Sequence, residues 1–397
     1  MRRYEHIVIG AGLIGSAAAK YLAQESSDVL LIGPREPSDY SRADLFASHF
    51  DNSRVQRIIG WNATWTRLNI ESALHWPVLE TQSGIKFHDP SGCLYLAPEQ
   101  DQYLSGATEV AERFQLSFYP IKNKASLREI APEMNFDSDV VGLYESAPSG
   151  SINPRLLVAA QQKVFASLSG TTVEDVVINV ERVETGWNIR TRKGESFLGE
   201  NLLIAAGSFS RFNSLLKREL DIQTKTEVVV NAQLSEADAR KLDHLPSLLY
   251  ETYQDDFDGI YLVKPQRFAD GKWYLKMGLN QKIDIYSERL EELQHWFRGD
   301  SHKKYLPVLK RELLKLFPEV NFLSLETKPC VISRTPTSNP YIDMVDEGLF
   351  IATGCNGYSA MSSDAQGRIA ATLMRARDYE PGYSQRDLAA VFKDMSA

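Results

Sequence analysis

Residues 7–15 read IVIGAGLIG, an apolar run ending in Gly10, Gly12 and Gly15. No other stretch limits the fold as strongly. Three β-forming residues lead into glycines spaced G-x-G-x-x-G, and an apolar stretch of helical character, Ser16 to Gln24, follows. Each glycine then has a physical task. Gly10 permits a tight turn, Gly12 lets backbone approach a pyrophosphate, and Gly15 lets the helix pack on its strand. Leu13 and Ile14 open the helix, whose N-terminus offers unpaired N–H groups and the positive end of a dipole to phosphate oxygens. A second strand, Val29 to Ile32, completes a βαβ unit. The pattern predicts a dinucleotide site.

One position departs from it. An acidic residue ordinarily ends the second strand, about 20 residues after the glycines, and holds the ribose hydroxyls. Here Gly33 stands there, followed by Pro34-Arg35-Glu36. Glu36 is one substitute; Arg35 contacting the adenosine half is the other. The turn alone does not separate NAD from FAD.

A chain of 397 residues has room for two domains with substantial cores. Its formal net charge of -8 argues against nucleic acid as a partner, which needs a basic face. No apolar run reaches the ~18 residues that cross a bilayer, so no membrane partner is expected. The first strand starts so near residue 1 that no signal peptide is expected. Three scattered cysteines, Cys93, Cys330 and Cys355, suit a reducing cytoplasm better than a disulfide framework. No metal is expected.

The rest of the chain organises itself around the first unit. A polar stretch, Pro37 to Ser53, lies beside the expected cofactor and ends in Arg54 and Arg57. A helical pattern from Trp61 to Trp76 is expected to stop at Pro77. Gly84 to Phe87 and Gly92 to Leu96 read as strands, and residues 101–114 as an amphipathic helix. Asn153-Pro154 reads as a cap and first turn of another helix. The apolar strand 202–205 ends in Ala206-Gly207, a turn suited to bring backbone near a cofactor. Meandering strands between residues 225 and 279 predict an antiparallel sheet. A final strand, glycine loop and helix occupy 348–374. The expected fold class is α/β, in two domains of α+β type. A discontinuous Rossmann-type dinucleotide-binding domain (1–60, 140–222 and 325–397) carries an inserted antiparallel-sheet substrate domain (61–139 and 223–324).

Four motifs in order carry a resemblance: the glycine fingerprint, LLIAAGSFS (202–210), KPCVISRTPTSNPYID (328–343) and LFIATGCNGYSAMSSDAQG (349–367). They resemble the FAD-dependent amine and amino-acid oxidases of the D-amino-acid oxidase superfamily. They are most similar to the branch of monomeric sarcosine oxidase and the N-methyl-amino-acid oxidases. The resemblance implies FAD, held by the fingerprint, Gly33, Ala206, Gly207 and the C-terminal turn of Gly354, Asn356, Gly357, Tyr358 and Met361. It implies a thioether from Cys330 to the flavin, whereas a free cysteine is ordinarily a small core residue. Lys276 falls in a strand like the one that carries the family's oxygen-activating lysine; by itself a strand lysine is ordinarily solvated. Arg54 and Arg57 fall where family arginines lie near the flavin and a substrate carboxylate, which suits their bidentate fork. His49 is a flavin neighbour or a solvated loop histidine. Tyr261 is a pocket tyrosine or a half-buried strand aromatic.

Three departures from the family bear on the substrate. Met361 replaces a cation, Asn280 a histidine and Ile332 an aromatic residue. Sarcosine is therefore not the expected substrate; a larger secondary or N-methylated amine, or an amino acid held by Arg57, is. The implied reaction takes the amine to an imine and O2 to hydrogen peroxide, in a monomer or homo-oligomer. The alternatives are a dehydrogenase with a quinone or carrier-protein acceptor, and a non-catalytic flavin-binding subunit.

Overall fold

The computed structural model describes residues 2–99, 101–136, 140–212 and 215–394. Two large sheets organise it. The first has a parallel core in the order Thr171–Val173, Val29–Ile32, Arg2–Ile9, Ser196–Ile204, Leu349–Thr353. Both faces are covered, so its strands read as continuous apolar runs: Val29, Leu30, Leu31 and Ile32 are all fully buried. The helices Leu13–Ala23, Ala63–Ser83, Pro154–Ser167 and Ser359–Ala376 supply the apolar side chains packed on one face.

The second sheet has nine strands and is antiparallel except where Ser247–Glu251 runs parallel to Cys93–Pro98. Its central strands, Gln223–Leu234, Phe257–Arg267 and Trp273–Gln281, alternate sharply. Val228, Val230, Ala232, Leu262, Leu275 and Met277 face a core shared with the helix Leu306–Leu316. The opposite face carries Glu227, Asn231 and Lys276, and these polar side chains are buried as well. A sheet with one apolar face ordinarily shows its polar face to water. Here the polar face lies against the dinucleotide side of the molecule.

Several elements differ from the sequence expectation. The strand Val140–Glu145 and the strand Ser324–Arg334 pair in the second sheet, although their positions in the chain suggested the dinucleotide domain. Conversely, the helix Ala63–Ser83 packs on the dinucleotide side, where Ser72 Oγ accepts a hydrogen bond from Ala365 N at 3.0 Å. That helix runs through Pro77, beyond the expected stop, and ends at Gly84 with φ 66°. Burial of Trp76 and Leu79 on either side of Pro77 outweighs the one backbone hydrogen bond that proline cannot make. Residues 84–87 form no strand; the short strand His88–Asp89 follows them and joins a three-stranded sheet with Arg54–Gln56 and Gly150–Ile152. That small sheet fixes the chain on which Arg54 and Arg57 sit.

Candidate active site

The first turn leaves no room for side chains. A Cβ on Gly10, whose φ is 111°, would sit 2.3 Å from Ala205 O, and one on Gly15 would sit 1.8 Å from Gly10 O. Gly33 packs as closely, 2.5 Å from Ala11 N. These three glycines are therefore demanded by packing. Gly12 is different: its Cβ would make only ordinary contact with the His49 ring, 3.6 Å from Nδ1. The helix that starts at Leu13 has no side-chain cap, so its first N–H groups are left for a ligand.

A cavity of about 770 Å³ begins at this turn. Gly10, Gly12, Leu13 and Ile14 line it, together with Ala206, Gly207 and Gly354. Glu36, His49, Arg54 and Cys330 line it further along. Glu36 takes a two-pronged ion pair from Arg155, with Arg155 Nη2 at 2.6 Å and Nε at 2.9 Å. Arg35 points away and pairs with Glu174 at the surface. His49 Nδ1 is buried without a partner, and burial holds the imidazole pKa down to about 4, so the ring is neutral at pH 7. An uncapped helix end, a cradle that a Cβ at Gly12 would fill, and a buried neutral nitrogen suit a long, phosphate-bearing ring cofactor such as FAD.

Of the remaining expected site residues, Lys276, Tyr261 and Arg57 are not among those lining this cavity, whereas Cys330 is. The side chains of Lys276, Cys330 and Tyr261 come from three strands of the second sheet and share its polar face, as the register Asn231↔Lys276, Glu227↔Cys330 and Tyr261↔Gly278 requires. Lys276 is buried. Its Nζ contacts the Asp51 carboxylate and donates to Ser53 O at 2.8 Å. Burial and the Arg54 cation push its ammonium well below the usual lysine range, against the pull of Cys330. Arg54 also pairs with Asp51, donates to Ser48 O at 3.2 Å, and places Nη2 3.8 Å from Cys330 Sγ. The Tyr261 ring lies over Gly278, where a Cβ would come within 2.0 Å of it, and burial pushes its hydroxyl pKa up.

Arg57 is buried in a cage of phenols. It donates to the hydroxyls of Tyr95, Tyr103 (2.7 Å) and Tyr358 (2.9 Å), with its guanidinium carbon 4.8 Å and 5.0 Å from the Tyr95 and Tyr358 ring centres. Trp65 stacks on Tyr358. Asn356, at φ 44°, ties the C-terminal loop together: its side chain donates to Gly354 O and Thr335 Oγ1, each at 3.0 Å, and accepts from Thr335 N. Gly357 lies against Ile332, and Met361 is buried in the core beside Leu13 and Ile58.

Residues 5–373 match the family described as FAD dependent oxidoreductase (DAO). The chain belongs to this family. Within it, the chain is 23% identical over 374 residues to an N-methyl-L-tryptophan oxidase of Yersinia pestis (strain Pestoides F), covering 93% of this chain and 94% of that one. The fold is also that of NikD, an unusual amino acid oxidase essential for nikkomycin biosynthesis, with a TM-score of 0.78 at 16% identity over 99% of this chain and 98% of the other. An L-proline dehydrogenase from P. horikoshii superposes with a TM-score of 0.77 at 17% identity, over 98% and 97%. The protein is thus an FAD-dependent amine or amino-acid oxidoreductase of two-domain α/β architecture. Among the described residues no helix is long and apolar enough to cross a membrane.

Sequence reasoning missed Asp51, Arg155, Tyr95 and Tyr103. Asp51 sits in the polar stretch before Arg54, where its spacing carries no periodic signal. The two tyrosines reach Arg57 from 38 and 46 residues away.

Proposed function

We propose that the protein oxidises the C–N bond of a secondary or N-methylated amine, or of an amino acid, to an imine, with O2 reduced to hydrogen peroxide. One observation carries this reading: Lys276, Cys330 and Tyr261 share one polar sheet face, and that face meets the dinucleotide cavity at Asn231 and Cys330. Bound flavin supplies the two-electron chemistry. The chain's own residues bind, orient and exclude water. The amine must be neutral to lose hydride, and a dry site disfavours the ammonium. Arg57 offers a fixed buried cation to a substrate carboxylate, its fork preset by three phenols. The Lys276 charge favours an electron reaching O2, because the first product there is an anion. The imine then takes up water and separates into a carbonyl compound and an amine.

The departures at Asn280 and Ile332 support a bulkier substrate than sarcosine, in keeping with the N-methyl-L-tryptophan oxidase likeness; Met361, buried in the core, does not bear on it. Cys330 lines the cavity, which supports a thioether from it to the flavin. Its three cysteines are free, which fits a reducing, cytoplasmic setting. The test is a peroxide assay over a panel of N-methyl amino acids, together with acid precipitation of the protein. Peroxide and a yellow pellet that turns white with Cys330→Ala are expected. Absence of peroxide with every amine overturns the oxidase reading, and a white wild-type pellet overturns the thioether.

A further inference from the structure

Lys276 is a lysine in an unfavourable place. It is 1% exposed, and Arg54 stands beside it as a second cation. Such a group gives up its proton unless an anion compensates. Two contacts meet its ammonium: the carbonyl of Ser53 at 2.8 Å, which is neutral, and the carboxylate of Asp51. Asp51 also pairs with Arg54, so one half-buried carboxylate on the cavity wall serves two cations. The other ionisable groups facing this spot are Tyr261 on the adjacent strand Phe257–Arg267, Glu227 on the adjacent strand Gln223–Leu234, and Cys330 opposite Glu227 on the strand beyond it. Glu227 is engaged by Lys225 at 2.7 Å.

We propose that Asp51 is a positioning residue for the oxygen step: it is the counter-ion that keeps the Lys276 ammonium charged inside a dry sheet face. This rests on the proposed oxidase reading and deepens it by naming what maintains the charge. In the step it supports, O2 takes two electrons and two protons in all and leaves as hydrogen peroxide. Those electrons are the pair of the substrate C–H bond next to nitrogen, and the protons balance those the amine loses at carbon and nitrogen as the imine forms; bound flavin would relay the electrons. The first electron makes an anion of O2, and a neutral Lys276 would no longer stabilise it. Asp51 touches neither reactant; it acts through Lys276.

The test compares wild type, Asp51→Asn, Asp51→Glu and Lys276→Met. In flavin-free protein, NMR of 13C-labelled lysine follows the protonation of Lys276, identified as the signal that Lys276→Met removes. Asp51→Asn is expected to weaken proton binding at Lys276 about a hundredfold, and Asp51→Glu to restore most of it. In the holoenzyme, reoxidation by O2 is expected to slow about tenfold at neutral pH in Asp51→Asn and to recover as pH falls and Lys276 recharges. Lys276→Met is expected to be slow at every pH. A Lys276 signal that Asp51→Asn leaves unmoved overturns the inference and leaves the oxidase reading standing. A Lys276→Met enzyme that O2 reoxidises as fast as wild type overturns the oxygen role of Lys276, and this inference with it. Should Asp51→Asn not fold, the wild type alone decides: a Lys276 already neutral at pH 7 contradicts the proposal.

Discussion

Lys20 Nζ lies 2.9 Å from Asp364 Oδ1, so the first helix of the chain is fastened by a buried ion pair to the helix Ser359–Ala376 near its other end. Asp364 is fully buried and also accepts from Tyr21 and Gln161, each at 2.7 Å. Burial works against its charge, but Lys20, His75, Tyr21 and Gln161 outweigh it and hold the carboxyl well below the usual range. The two elements that frame the cofactor turn are thereby held in one register.

Asp364→Asn is therefore expected to cost about 3 kcal/mol, since it strands Lys20 without a counter-ion. The contribution has a definite pH sense. A depressed carboxyl stabilises the fold above its unfolded pKa of about 3.9 and loses that effect as pH falls through the folded value. Urea unfolding between pH 7 and pH 2 checks it: the variant starts lower and declines less below about pH 4.

His49 gives a second, separate acid limb. Its pKa of about 4 lies below that of an unfolded histidine, so the unfolded chain takes up a proton first as pH falls. Stability of the flavin-free protein should drop by up to about 3 kcal/mol between roughly pH 6.5 and 4. His49→Gln, which cannot charge, should lessen the fall over that interval, to which His6, His88 and His302, also held down by burial, contribute, and should leave the lower one unchanged.

Gly12 and Gly15 should separate folding from cofactor binding. Gly15→Ala drives a methyl into the Gly10 carbonyl and is expected to cost several kcal/mol, on the order of 3, read as loss of the thermal transition. Gly12→Ala has room for its methyl except where the pyrophosphate would pass. The apoprotein should melt within a few degrees of wild type while FAD binds at least about tenfold more weakly by fluorescence titration.

Much of this arrangement is legible in the sequence. The glycine turn, its strand and helix, and the Asn153 cap (Oδ1 accepts from Leu156 N at 3.1 Å) follow from local rules. The polar face of the second sheet is half legible: the alternation in 227–231 marks two faces, but nothing local says that both are buried. Pro77 misleads because tertiary burial of Trp76 and Leu79 exceeds a local preference. Asp51 and the tyrosine cage are invisible for a different reason: contacts such as Arg57 with Tyr95, and Lys276 with Asp51, join segments far apart in the chain.

Arg57 should report on substrate charge. Arg57→Ala leaves three phenols without their donor and is expected to cost about 2 kcal/mol of stability. Its kinetic effect should be selective. For an N-methyl amino acid kcat/KM should fall about a hundredfold, mostly through KM; for the corresponding amine without a carboxylate it should change little. Equal losses on both would make Arg57 a purely structural cation.

The most direct test of amine oxidation at this site is anaerobic. The purified, FAD-loaded protein is mixed under argon with N-methylated amino acids and secondary amines of increasing bulk, and the flavin absorbance near 450 nm is followed. The account predicts that at least one bulky N-methylated substrate bleaches the band in a single turnover and that admitted air restores it. A band that no amine bleaches, on protein shown to hold FAD, would contradict it.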